Sequence, residues 1–245
     1  MRIARLATVD GVQSVRRGDA GEWIPIENPY TAFAVGRPPR DLGAAIDGEL
    51  LAPCEPLVLV GIAQNGPAHD SPVQAWLKSP RTVIGPDATV PLRRDAGTTV
   101  AEAEIAVVIA RDTTGLTAET AHEFVLGITA VNDLSSPDRA AHDPRNFESK
   151  SGDGYTPLGP WIDTAMDLDE PIALSLLVDG QPVAETSAAE LPMSLRACLA
   201  YVAHWTALCP GDVIMMGAPH SQAPIAAGNV VDVLVGDIRL RSTTA

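Results

Sequence analysis

Cysteine is scarce in this chain: Cys54, Cys198 and Cys209 are the only three in 245 residues. An odd number at such wide spacing supplies neither a disulfide framework nor the paired ligands of a zinc site. Free thiols in a reducing compartment are the expectation. Basic residues are also in short supply. The 17 Lys and Arg face 31 Asp and Glu, for a formal net charge of −14. That balance argues against nonspecific binding to nucleic acid or to an anionic membrane surface. An anionic small molecule would need a local basic pocket or a bound cation. Long apolar runs are missing as well. No stretch approaches the roughly 18 apolar residues of a membrane helix, and the segment from Met1 to Asp10 lacks the apolar core of a secretory signal. A soluble cytoplasmic protein is expected.

Apolar residues make up 46% of the sequence, enough for a sizeable core in one large domain or one domain with a small appendage. Turn signals are frequent. Asp10-Gly11 separates Arg2 to Val9 from Val12 to Arg17. Asp179-Gly180 separates Ile172 to Val178 from Gln181 to Thr186. Gly236-Asp237 separates Val230 to Val235 from Ile238 to Arg241. Each pattern predicts a hairpin. Two helices are predicted. One runs from an N-cap at Thr117 to about Phe124. The other runs from an N-cap at Ser194 to about Leu208, with Leu195, Cys198, Leu199, Val202 and Trp205 at helical spacing and His204 in or beside the core. Many short strands and few helices predict a mainly β fold with helical support, in the α+β class. Residues 1–55 read as a small N-terminal β-rich module, and residues 56–245 as the domain that carries the chemistry.

Three stretches bear that chemistry. Val100 to Ile109 begins as an alternation and ends as an apolar run, so Glu102 and Glu104 share one face at the start of a strand. Two carboxylates side by side need bulk water, a proton or a cation between them. A solvated edge strand and a hard-cation site both satisfy that requirement. Asp133 stands at the end of a second apolar strand, Ile128 to Val131, either as a third carboxylate or as a turn-initiating aspartate. Lys150-Ser151-Gly152-Asp153-Gly154 combines a lysine and an aspartate with two glycines, which suggests tight backbone around a polar centre. His69-Asp70 lies in a polar loop after the strand Leu57 to Ile62, as a general base or as a solvated histidine.

The order of landmarks resembles the fumarylacetoacetate hydrolase family. These are Glu102-Ala103-Glu104, Asn132-Asp133-Leu134-Ser135, Lys150-x-x-Asp153 before Pro157-Leu158-Gly159, and Pro210-Gly211-Asp212 with Gly217-Ala218-Pro219. The resemblance covers about Leu57 to the C-terminus. It implies a mixed β-sandwich roll, usually dimeric, and a substrate that is a 2-oxo acid or 1,3-diketone, often from aromatic catabolism. It implies Glu102, Glu104 and Asp133 as ligands of Mg²⁺ or Mn²⁺ and Lys150 as the active-site lysine. Asp153, Gly217 and Ala218 then belong to substrate binding, with His69 as the water-activating base of the hydrolases. Some positions depart from the family pattern. The tyrosine expected ahead of His69 is missing, Pro137 stands at a common arginine, and Ala218 replaces a threonine. The segments around Asp133, Lys150 and Asp179-Gly180-Gln181-Pro182 look more like the isomerase/decarboxylase branch of homoprotocatechuate breakdown. The resemblance thus implies an isomerase or decarboxylase of unsaturated 2-oxo diacids, with an acylpyruvate-type C–C hydrolase as the alternative. A non-catalytic relative that binds metal or a 2-oxo acid is the reading from another class.

Overall fold

A computed structural model describes residues 1–63, 73–140, 142–143, 145–217 and 220–245. The chain opens with β1 (Arg2–Thr8), β2 (Gly11–Arg17) and β3 (Trp23–Pro25), then α1 (Pro29–Ala34) and β4 (Glu49–Leu51). Next come β5 (Leu59–Ala63), β6 (Gln74–Lys78), β7 (Val83–Ile84), β8 (Thr89–Val90), β9 (Thr99–Ile109) and β10 (Val125–Asn132). Two short helices, α2 (Pro137–Ala140) and α3 (Phe147–Lys150), precede β11 (Thr156–Asp163). The hairpin of β12 (Ala173–Val178) and β13 (Gln181–Ser187) leads to α4 (Leu195–Trp205). The chain ends with β14 (Val213–Met215), β15 (Gln222–Ile225), β16 (Val230–Val235) and β17 (Ile238–Thr244).

These strands form two sheets. The larger runs β3-β2-β1-β11-β10-β9-β14-β5-β6, with β4, β7 and β15 paired additionally to β1, β11 and β9; the smaller runs β13-β12-β16-β17-β8. The N-terminal strands join the larger sheet through the antiparallel pairing of β1 with β11. One core lies between the sheets. It unites Ile105 and Val107 of β9 with Leu174 and Leu176 of β12 and Val231 and Val233 of β16, and α4 adds Leu195, Leu199 and Val202. A second core covers the opposite face of β9, where Ala106 and Val108 meet Leu126, Val131 and Met215. Burial on both faces explains why the alternation of β9 gives way to a continuous apolar run.

The three predicted hairpins form where the turn signals placed them. Asp10, Asp179 and Gly236 did not need tertiary context to be read, because the turn chemistry is local. Two helical expectations require correction. The segment after Thr117 makes only a short 3₁₀ turn at Ala121–Phe124. There Thr117 Oγ1 and Thr120 Oγ1 lie 3.2 Å apart, and Thr120 Oγ1 accepts from Thr117 N at 3.1 Å, a bracket that competes with helical hydrogen bonding. In α4, His204 is exposed rather than near the core, and so is Trp205. At about 100° per residue, His204 lies roughly opposite Leu195 on the helix. Among the described residues no helix is long and apolar enough to cross a membrane. The three cysteines form no disulfide.

Asp232 of β16 shows how a buried charge is tolerated here. Its carboxylate is fully buried and accepts from Arg239 Nε at 3.0 Å and Nη2 at 2.7 Å, and from Arg241 Nε at 2.9 Å and Nη2 at 3.0 Å. Burial alone would raise its carboxyl, but the two guanidiniums hold it at about 2. Unfolding would return it to about 3.9. The pair therefore stabilises the fold fully above that value and progressively less as pH falls toward 2. Asp232→Asn is expected to cost about 2 kcal/mol at pH 7 and to lower Tm by roughly 4–8 °C. The difference from wild type should shrink between about pH 4 and pH 2 in a thermal-melt series.

Candidate active site

The register of β9 against β10 builds the site. Val131 pairs with Glu104 and Asn132 with Ala103, and Asp133 N donates to Glu102 O at 3.0 Å. Residues opposite one another in an antiparallel ladder share a face. Asp133 therefore emerges beside Glu102 and Glu104, on the face that farther along β9 carries Ala106 and Val108. Asn132 Oδ1 accepts from Glu102 N at 3.1 Å and fixes the backbone at this junction. Carboxylate oxygens of Glu102, Glu104 and Asp133 lie within 4.8 Å of one another. The solvated-edge alternative for Glu-x-Glu does not describe this arrangement, since Glu104 and Asp133 are buried and only Glu102 is partly open.

Two lysines face the carboxylates. Lys150, at the end of α3, donates from Nζ to Glu102 Oε2 at 2.7 Å and to Asp133 Oδ2 at 2.6 Å. Its ammonium lies 5.6 Å from the centre of the Trp76 ring. Lys78, at the end of β6, donates to Asp133 Oδ1 at 2.5 Å and to Tyr155 O at 2.7 Å. Lys78 was not read as functional from the sequence. It has the form of a lysine closing an edge strand, the usual position of a solvated residue. The available signal was its spacing from Trp76, which puts the ammonium on the same strand face as a large aromatic.

Burial and charge act in opposite directions across this cluster. Burial, reinforced by the neighbouring Asp133, holds the Glu104 carboxyl well above the usual range. Burial would also raise Asp133, but Lys150 and Lys78 outweigh it and the carboxyl is lowered. Burial would lower Lys150, yet Asp133, Glu102 and Glu104 raise it. Burial wins at Lys78, which is lowered despite Asp133. With every group ionised, three carboxylates and two ammoniums sum to −1. The set therefore suits a hard cation, which prefers carboxylate oxygen, and the buried, raised Glu104 marks the place where positive charge is lacking.

The other predicted site residues divide. Gly217 joins the cluster, its N–H donating to Glu104 Oε2 at 3.0 Å. Asp153 sits exposed in the turn between α3 and β11. The tight backbone expected there is present: a Cβ on Gly152 would fall 2.3 Å from the Tyr155 ring, and Gly154 has φ of +66°. His69 and Ala218 lie outside the described residues.

Three carboxylates at neighbouring strand ends, faced by the buried Lys78 and the partly buried Lys150 on a two-sheet scaffold, form a largely enclosed acidic cluster rather than a surface patch. The family model described as fumarylacetoacetate (FAA) hydrolase C-terminal matches residues 51–244. The chain belongs to the fumarylacetoacetate hydrolase family, whose members include isomerase/decarboxylases and hydrolases. A solved structure of 5-carboxymethyl-2-hydroxymuconate delta-isomerase from Mycobacterium smegmatis is 32% identical, covers 100% of this chain and 99% of its own, and superimposes with a TM-score of 0.91. The 4-hydroxyphenylacetate degradation bifunctional isomerase/decarboxylase of Salmonella dublin is 34% identical over 133 residues, which are 53% of this chain and 31% of that protein. Maleylpyruvate hydrolase of Aquipseudomonas alcaligenes is 28% identical over 158 residues, 64% of this chain and 54% of that one.

Removing Lys78 would leave Asp133 with one cation and the Tyr155 carbonyl with Leu134 N as its remaining donor. Lys78→Met is expected to destabilise the fold by about 3 kcal/mol or more, with Tm lower by at least roughly 6 °C. Differential scanning calorimetry measures this. A melting point equal to wild type would show that Lys78 is not a structural partner of Asp133.

Proposed function

We propose that the protein is a Mg²⁺- or Mn²⁺-dependent enzyme that acts on unsaturated 2-oxo diacids by enolate chemistry, as an isomerase or decarboxylase of aromatic catabolism. The observation that carries this reading is the convergence of Glu102, Glu104 and Asp133 within 4.8 Å, with Lys150 bonded to two of them. The names of the isomerase and isomerase/decarboxylase relatives support the same class. In this reading Glu102, Glu104 and Asp133 hold the cation, and Gly217 orients Glu104 through its N–H. Bound there, the cation would act as a Lewis acid toward the substrate's 2-oxo group and favour the enolate.

The chain's own groups account for the remaining chemistry. Lys150 Nζ retains its proton while Glu102 and Asp133 face it, so it can donate a hydrogen bond to a developing oxyanion or return a proton to carbon. Lys78 holds Asp133 from the other side and leaves Lys150 as the ammonium nearer the opening. Asp153, Gly217 and Ala218 are carried as substrate-binding positions, and a homodimer in the cytoplasm completes the proposal. A screen of 2-oxo diacids and acylpyruvates with Mg²⁺ or Mn²⁺, read by mass spectrometry, tests the activity. An isomerised or decarboxylated diacid is the expected product, and the absence of metal-dependent turnover across the panel would oppose the reading.

The hydrolase relative favours a second reading, C–C cleavage of an acylpyruvate-type substrate. That reaction needs an activated water, for which His69 would be the base. His69→Gln should abolish hydrolysis and leave isomerisation or decarboxylation nearly intact, so product analysis of this variant separates the two.

Lys150→Met should lower kcat by about 10²-fold or more while changing KM much less, because in this reading the ammonium stabilises charge that develops in the transition state. Lys150→Arg should not restore the rate, since a guanidinium is larger and does not release its proton. Steady-state kinetics on a verified substrate measure both. Wild-type turnover in Lys150→Met would reduce the lysine to a structural role.

A further inference from the structure

Beside the carboxylate cluster lies a cavity of about 870 Å³, lined by Trp76, Phe147, His142 and Arg145 among others. Trp76 is the shared wall, because the same ring lies beneath the Lys150 ammonium. The turn that carries Arg145 is fixed to the helix that carries Lys150. Asp143 Oδ2 accepts from Ser149 N at 3.1 Å and from Ser149 Oγ at 3.2 Å, and Asn146 N donates to Asp143 O at 3.1 Å. One short segment thus sends an ammonium to the acidic cluster and a guanidinium to the neighbouring cavity.

Arg145 differs from the other arginines nearby. An adjoining cavity of about 470 Å³ is lined by Arg93 and Arg139, but Arg93 is paired with Asp95 and Arg139 with Glu148. Arg145 forms no ion pair with a described residue. In a chain with net charge −14, a guanidinium with no ion-pair partner among the described residues, at the edge of a cavity, is a place where an anion can be recognised. Guanidinium and carboxylate match in shape as well as in charge.

We propose that Arg145 is a specificity-determining residue that binds the distal carboxylate of a 2-oxo diacid whose 2-oxo carboxylate end binds the cation held by the acidic cluster. This deepens the proposed function and rests on it. His142, lining the same cavity, supplies a further polar contact, and Trp76 and Phe147 flank the carbon chain between the two ends. A monocarboxylic 2-oxo acid would make every contact except the one to Arg145.

The test compares two stable ligands that differ in that end alone, 2-oxoadipate and 2-oxohexanoate, by isothermal titration with saturating Mg²⁺. Wild type should bind 2-oxoadipate about tenfold or more tightly than 2-oxohexanoate, as one desolvated charge-assisted pair implies. Arg145→Met should abolish that preference and leave affinity for 2-oxohexanoate unchanged. Arg139→Gln, which alters an arginine already paired with Glu148, should keep the preference. Equal binding of the two ligands by wild type, or a preference that survives Arg145→Met, would overturn the role of Arg145 while the proposed function stands. Binding of neither ligand with Mg²⁺ or Mn²⁺ would overturn both.

Discussion

Asp133 accepts hydrogen bonds from two ammonium groups at once, and the rest of the site depends on that arrangement. Lys78 takes one oxygen and Lys150 the other. Three carboxylates could not be packed near the start of β9, two of them buried, without such compensation, because an unpaired buried charge costs several kcal/mol. The compensation is incomplete by one charge. That remainder is the charge that a cation, in the proposed function, would offset.

The scaffold makes this charge distribution possible. β9 is covered on both faces for most of its length, and its hydrogen-bonded neighbours fix the register to the residue. A one-residue slip between β9 and β10 would turn Glu102 and Glu104 away from Asp133. Lys78 comes from the edge strand β6, Lys150 from a helix after β10 and Gly217 from the segment after β14, so the site joins five separate stretches of chain. The partial exposure of Glu102 and the neighbouring cavity leave one side open to a small molecule.

Much of this could be read from the residues, and the divisions have physical causes. The hairpins at Asp10-Gly11, Asp179-Gly180 and Gly236-Asp237 depend on local turn chemistry. Glu102 and Glu104 share a face by the two-residue period of a strand, and Asp133 is visible as a carboxylate at a strand end. Lys150 was legible through the motif series. Lys78 was not, because its burial is produced by the pairing of β6 with β5 and by the Tyr155 carbonyl, distant in sequence. After Thr117 hydroxyl hydrogen bonds replace the helical ones that the sequence predicts. His204 faces solvent, as its angle from Leu195 on the helix dictates. Asp153, which the motif series assigns to substrate binding, lies in an exposed turn.

In the proposed function Glu102, Glu104 and Asp133 together hold one divalent cation. Titration with Mn²⁺, followed by the loss of the free-ion electron paramagnetic resonance signal, measures this. Wild type should bind one Mn²⁺ per chain. Glu104→Ala and Asp133→Ala, each checked for native circular dichroism, should bind at least about a hundredfold more weakly. No binding by the wild-type chain, or equal binding by the two folded variants, would contradict the account.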